Sequence, residues 1–191
     1  MFDDDGVCVN ERPQSYEFAQ ALDHVRAKSL TFKEKFNEEN KVRKLELVLF
    51  EYALEHLMRI SRGMCQDRGS MMLVGVGGSG KQSLTRLASF IVGNFIFQIS
   101  ITKYYSTSIL FAHIKLLYKT AGLKGKPVTF IFTDAEVKEE GFLEYINQIL
   151  STGEVSNLFP KDEIDAILGD LRPVAKKAKN EHFGEFDKIL F

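Results

Sequence analysis

The chain has 191 residues, 45% of them hydrophobic and 27% charged, with a formal net charge of −1. That is room for one domain with a sizeable core, and a charge that gives no electrostatic reason to expect nucleic acid as a partner. Two cysteines (Cys8, Cys65) and four histidines (His24, His56, His113, His182) are scattered without metal-ligand spacing, which argues against a zinc framework and fits a reducing compartment. No apolar run approaches the ~18 residues of a membrane span, and the acidic start Met1-Phe2-Asp3-Asp4-Asp5 is unlike a secretory signal. Together these argue for a cytosolic protein with no membrane partner.

Residues 1 to about 15 are polar, with Gly6 and Pro13, and read as a lead-in. Weak helical periodicity follows from Tyr16 to Ala27. The charge-rich stretch Lys28 to Lys41 carries Phe32 and Phe36 four apart, the pattern of a solvated helix face with two anchors. Lys41 to Arg62 is expected to be one helix, with Leu45, Leu49, Tyr52, His56 and Ile60 on a stripe that Val48, Leu54, Leu57 and Met58 widen. Gly63 is its expected stop, and His56 reads as a core-edge residue rather than a catalytic one.

The apolar run Met71-Met72-Leu73-Val74 is expected to be a first strand. It leads into Gly75-Val76-Gly77-Gly78-Ser79-Gly80-Lys81-Gln82-Ser83 and then into a helix from about Lys81 to Val92, ended by Gly93-Asn94. Strand, glycine-rich turn and helix form the context of a phosphate-binding loop. Glycines let successive N–H groups converge, the helix adds unpaired N–H groups and its positive dipole end, and Lys81 brings a mobile cation to the outer phosphates. Gly75, Gly80 and Lys81 satisfy G-x-x-x-x-G-K. The next residue should be Ser or Thr, whose hydroxyl ligates Mg²⁺; here it is Gln82, with Ser83 one place late.

Phe95 to Ile101 is aromatic and β-branched and is expected to be a second strand. Ser106, Thr107 and Ser108 offer caps for a helix to about Ala121, with Leu110, Ile114, Leu117 and Ala121 inward and Gly122 after it. Val128 to Thr133 is expected to be a third strand, buried on both faces. A helix follows from about Glu139 to Ser151, then a loop over Val155 to Pro160, then a helix from Asp162 to Leu171 that Pro173 should end or kink. Strands alternating with helices predict an α/β fold with a parallel sheet.

Asp134, at the end of the third strand, stands where a P-loop enzyme holds Mg²⁺. A helix N-cap is the plainer alternative. The residue after it is Ala135, with Glu136 one place later. Adjacent strand residues point to opposite faces, so Glu136 is a weak catalytic candidate unless the chain turns there.

The run Leu45 to Leu57, then GSMMLVGVGGSGKQSLTRLASF, FIFTDAEV and LSTGEVSNLFPKDE, resembles the fourth AAA+ module of a dynein heavy chain, most closely the axonemal type. The resemblance implies a P-loop AAA+ three-layer fold, reduced here to strands one to three, because the strands that would flank the first do not occur in this sequence. The organisation it implies is a lead-in with linking helices over 1–40, a partial large subdomain over 41–180 and an atypical tail over 181–191. It also implies a piece of a microtubule motor in the cytoskeleton of a ciliary or flagellar axoneme, with neighbouring AAA+ modules of the same heavy chain, intermediate and light chains, and microtubules as partners. Carried residue by residue, Gly75 to Ser83 are the phosphate loop for ATP or ADP, Asp134 the Mg²⁺-facing acid, and Leu47 to Phe50 a loop against the adenine. In hydrolysing AAA+ proteins a Glu stands at the position of Ala135. With Gln82 and Ala135, the expectation is nucleotide binding in a regulatory role with weak or no hydrolysis. The alternatives are a structural or interaction remnant of the module, or a competent ATPase using Ser83 and Glu136.

Overall fold

The computed structural model describes residues 21–66, 68–101 and 104–177, the last four of these as backbone only. The expectations for the lead-in, the start of the helix from Tyr16 and the tail over 181–191 lie outside those residues. The chain divides into two compact units, Met1–Ile96 and Phe97–Phe191.

The first unit contains α1 (Leu22–Glu39), α2 (Glu51–Met64) and α3 (Lys81–Val92). In α1 the two anchors behave as expected. Phe36 is buried and meets the ring of Phe90 edge-on at 5.4 Å, and Phe32 packs against the same cluster. Leu54, Leu57 and Ile60 of α2 and Leu84, Leu87 and Ala88 of α3 complete that core with Leu45 and Leu49. Each fully buried leucine contributes roughly 1.5–3 kcal/mol.

The single helix expected over Lys41 to Arg62 is not formed. Helix α2 starts only at Glu51, where the Leu54 N–H reaches Phe50 O at 3.0 Å. Before it, residues 44–49 carry no helical bonds. Leu45 and Leu49 are buried while Glu46, Val48 and Phe50 face out, an alternation of period two. Leucines four apart satisfy either period. Here the backbone bonds of Leu45 go instead to the Asn37 side chain on α1, with Leu45 N–H to Asn37 Oδ1 at 2.6 Å and Asn37 Nδ2 to Leu45 O at 3.2 Å. Tyr52, expected inward, is exposed and meets the His56 ring edge-on; His56 is half-buried, as a core-edge residue would be. Gly63 lies inside α2 rather than ending it. A Cβ there would come 2.3 Å from Met71 Sδ, so the position serves a close approach.

The expected strand over Met71 to Val74 does not form either: among the described residues no ladder includes it. Met72 and Val74 are 89% and 83% exposed. An extended run becomes a strand only where a neighbour takes up its N–H and C=O groups.

The second unit carries α4 (Thr107–Tyr118), α5 (Gly141–Ser151) and α6 (Lys161–Lys177). The strands β1 (Phe95–Gln98) and β2 (Val128–Ile131) pair as a small parallel sheet, joined through α4. Both strands are shorter than expected, and Val128 to Phe130 are half-buried rather than covered on both faces. After Tyr118 the helix widens into a π turn over Lys119–Leu123. The core comprises Ile99, Tyr105, Leu110, Ile114, Phe142, Val155 and Leu158. The Tyr105 hydroxyl lies 2.7 Å from His113 Nδ1, and burial pushes the phenol up to about 12. Glu163 of α6 accepts from Lys115 at 2.7 Å and from Lys119 at 3.5 Å; the Lys115 hydrogen bond foremost holds its carboxyl below the usual range. Pro173 does not end α6, which continues to Lys177. Without an N–H, Pro173 simply leaves the Gly169 carbonyl without its helical donor. No described helix is long and apolar enough to cross a membrane.

Candidate functional site

The residues from Gly75 to Ser83 form one exposed loop running into the first turn of α3. Two of its glycines, Gly78 and Gly80, have φ of 76° and 79°, a region that costs an ordinary L-residue roughly 1–2 kcal/mol. Gly80 is the N-cap of α3, with no side chain capping it. The first intrahelical bond runs from the Leu84 N–H to Gly80 O at 2.8 Å, so the N–H groups of Lys81, Gln82 and Ser83 precede the helical ladder. A Cβ on Gly77 or Gly78 would meet nothing within 4 Å, which leaves the crest of the loop open to a ligand's close approach.

Lys81 bends back over this loop. Its ammonium donates to Gly75 O at 2.7 Å, Val76 O at 2.8 Å and Ser79 Oγ at 3.3 Å. An ammonium has three donors, and here all three end on neutral acceptors of the loop. An anion at the crest offers charged acceptors in their place, a stronger interaction for the same donors. Open glycine crest, uncapped helix start and adjacent lysine together fit a phosphate group. Gln82 is exposed and Ser83 half-buried in the first helical turn.

Leu47 stands beside the loop, its Cδ2 3.4 Å from the place a Cβ on Gly80 would occupy. The carbonyl of Leu47 accepts from Lys33 Nζ at 3.1 Å. Sequence reasoning placed Leu47 in a helix by periodicity and, through the resemblance, in a loop against the adenine, and it gave Asn37 and Lys33 no part. The signal was present in the alternating leucines Leu45, Leu47 and Leu49.

Asp134 and Glu136 lie in the second unit. The strand has ended at Ile131, and Asp134, Ala135 and Glu136 form a single 3₁₀ turn. The Asp134 side chain is exposed. It belongs to no metal-binding cluster, since no three His, Cys, Asp or Glu converge among the described residues. Glu136 is buried at 5% exposure. One of its oxygens accepts from the Thr133 N–H at 2.7 Å and from the Thr133 hydroxyl, the other from Gln98 Nε2 at 3.0 Å. With the Glu136 N–H closing on Thr133, this is a capping box with Thr133, not Asp134, as the N-cap; the sequence reading missed it, although Thr133-x-x-Glu136 is its signature.

Comparison with known proteins agrees with the loop. Residues 45–187 match the family model described as "P-loop containing dynein motor region D4". Mouse dynein axonemal heavy chain 5 is 54% identical over 167 residues, covering 87% of this chain and 4% of the relative. The gamma chain of the flagellar outer arm dynein of Chlamydomonas reinhardtii is 58% identical over 161 residues, 84% of this chain and 4% of the relative. Human dynein axonemal heavy chain 8 is 48% identical over 181 residues, 95% of this chain and again 4% of the relative. The chain thus spans only about a twentieth of the length of these relatives. The motif, the α/β elements around it and the match over most of the sequence converge: the chain belongs to the family of P-loop-containing dynein motor D4 regions.

Proposed function

We propose that this chain is a nucleotide-binding, regulatory AAA+ region of an axonemal dynein heavy chain, with weak or no hydrolysis of its own. The observation that carries the reading is the loop from Gly75 to Ser83, with its open crest, its uncapped helix start and Lys81 in contact with it. In this reading the loop holds the phosphates of ATP or ADP, the run from Leu47 to Phe50 faces the base, and Asp134 faces Mg²⁺. A bound Mg²⁺ would neutralise phosphate charge. The chain's own residues do the rest: the loop N–H groups orient the phosphates and Lys81 balances their charge.

Hydrolysis is poorly served. Gln82 has no hydroxyl for the metal, Ala135 cannot polarise a water, and Glu136 has both oxygens engaged in its capping box. Within a longer heavy chain, the region would take neighbouring AAA+ modules as partners. Through the whole motor it would act with intermediate and light chains on microtubules in the axoneme of a cilium or flagellum. The relatives' names, axonemal and flagellar outer arm, support that setting.

Titration with a fluorescent ATP tests the proposal. Loss of the Lys81 charge-assisted hydrogen bonds in Lys81→Ala is expected to weaken binding about 10- to 100-fold; equal affinity for the two proteins sinks it. A second reading, a structural remnant of the module, draws on the unpaired, exposed Met71 to Val74. Absence of saturable binding by the unaltered chain would favour that reading.

A further inference from the structure

We propose that Asn37 and Lys33 of α1 are positioning residues for the nucleotide base, acting through the extended run that they clamp beside the phosphate loop. The inference rests on the reading of Gly75 to Ser83 as a nucleotide phosphate site, and it assigns a role to a helix outside the phosphate-loop motif.

Among the described residues, the run from Leu45 to Phe50 has no strand to pair with. Asn37 stands in for one, since its amide takes both the N–H and the C=O of Leu45, at 2.6 and 3.2 Å. This is the pair of bonds that a residue in an antiparallel ladder exchanges with its opposite number. Two residues on, Lys33 Nζ donates to Leu47 O at 3.1 Å. Both side chains are half-buried, and they are four apart, on one face of α1. Buried beneath them, Leu45 and Leu49 anchor the run in the core.

What the clamp holds in place is the wall of the site. Leu47 Cδ2 closes on Gly80, the N-cap of α3, at 3.4 Å from where its Cβ would be. Leu47, half-buried and set beside the N-cap of α3, is the member of the run that offers apolar surface to a purine ring next to the phosphate loop. The phosphate loop itself is held by its own glycines, by α3 and by Lys81. The clamp therefore acts on the base and leaves the phosphates alone.

That separation gives the test. A fluorescent ATP bound to the full chain is displaced by unlabelled ATP and, in parallel, by inorganic tripolyphosphate, which has no base. Asn37→Ala and Lys33→Met are each expected to weaken ATP about 5-fold while tripolyphosphate competes as it does against the unaltered chain. Lys33→Arg keeps a donor for Leu47 O and is expected to restore the ATP value. Lys81→Ala weakens both competitors. An unchanged ATP to tripolyphosphate ratio in Lys33→Met overturns the clamp, whether both affinities fall together or neither moves, and it does so even if Asn37→Ala fails to fold. Should Lys81→Ala leave both competitors untouched, the phosphate-loop reading itself has failed, a different result from loss of the ratio effect.

Discussion

Glu136 shows how one residue's chemistry depends on where its strand stops. Read on a strand that continues to Thr133, it looks like a displaced catalytic acid next to Asp134. With the strand ending at Ile131, the same carboxylate turns back to Thr133 and Gln98 and is buried. The letters Thr133-Asp134-Ala135-Glu136 held both readings, and only the length of the strand decides between them. Removing the carboxylate takes away the cap and leaves the Gln98 amide without that acceptor. Glu136→Ala is therefore expected to lower stability by about 2 kcal/mol, seen as an earlier midpoint in urea unfolding. A midpoint that does not move would mean the capping box contributes nothing. Lys81 is the opposite case. Its position in the motif was readable, but its bonds to Gly75 O and Val76 O depend on how the loop folds.

At the scale of elements, helices α3, α4 and α5 were legible to within a few residues, and the extended segments were not. The physical reason is local. A helix satisfies its own backbone, so amphipathic spacing and a stop such as Gly93, with φ of 83°, are enough to place it. An extended segment needs a neighbour that periodicity does not name. The run 45–50 finds a side chain, Asn37, while Met71 to Val74 finds no ladder among the described residues. Met72, Val74 and Val76 alternate along that segment with 89%, 83% and 80% exposure. An unpaired apolar edge of this kind favours association. Sedimentation of the isolated chain is expected to show concentration-dependent oligomers, and the double substitution Met72→Lys, Val74→Lys to reduce them several-fold. If the double variant sediments as the unaltered chain does, the segment is not the adhesive surface.

For the whole molecule, the family and the α/β class were legible from the motif and the alternation of elements, whereas the division into two units was not, because it follows from which side chains share a core. Leu54, Leu57, Leu84 and Leu87 gather in the first cluster and Leu110, Ile114 and Phe142 in the second. The phosphate loop lies wholly in the first unit. A ligand that binds only the folded form stabilises it by about 2.7 kcal/mol at a hundred times its dissociation constant. With ATP present and Mg²⁺ chelated, amide hydrogen exchange is expected to slow in α3 and to change little in α4. Equal slowing in both would show that the two units open as one. Where the units open separately, the first half of the chain has a stability that rises and falls with the concentration of nucleotide around it. Its persistence then becomes a gauge of the surrounding nucleotide supply, registered without any turnover.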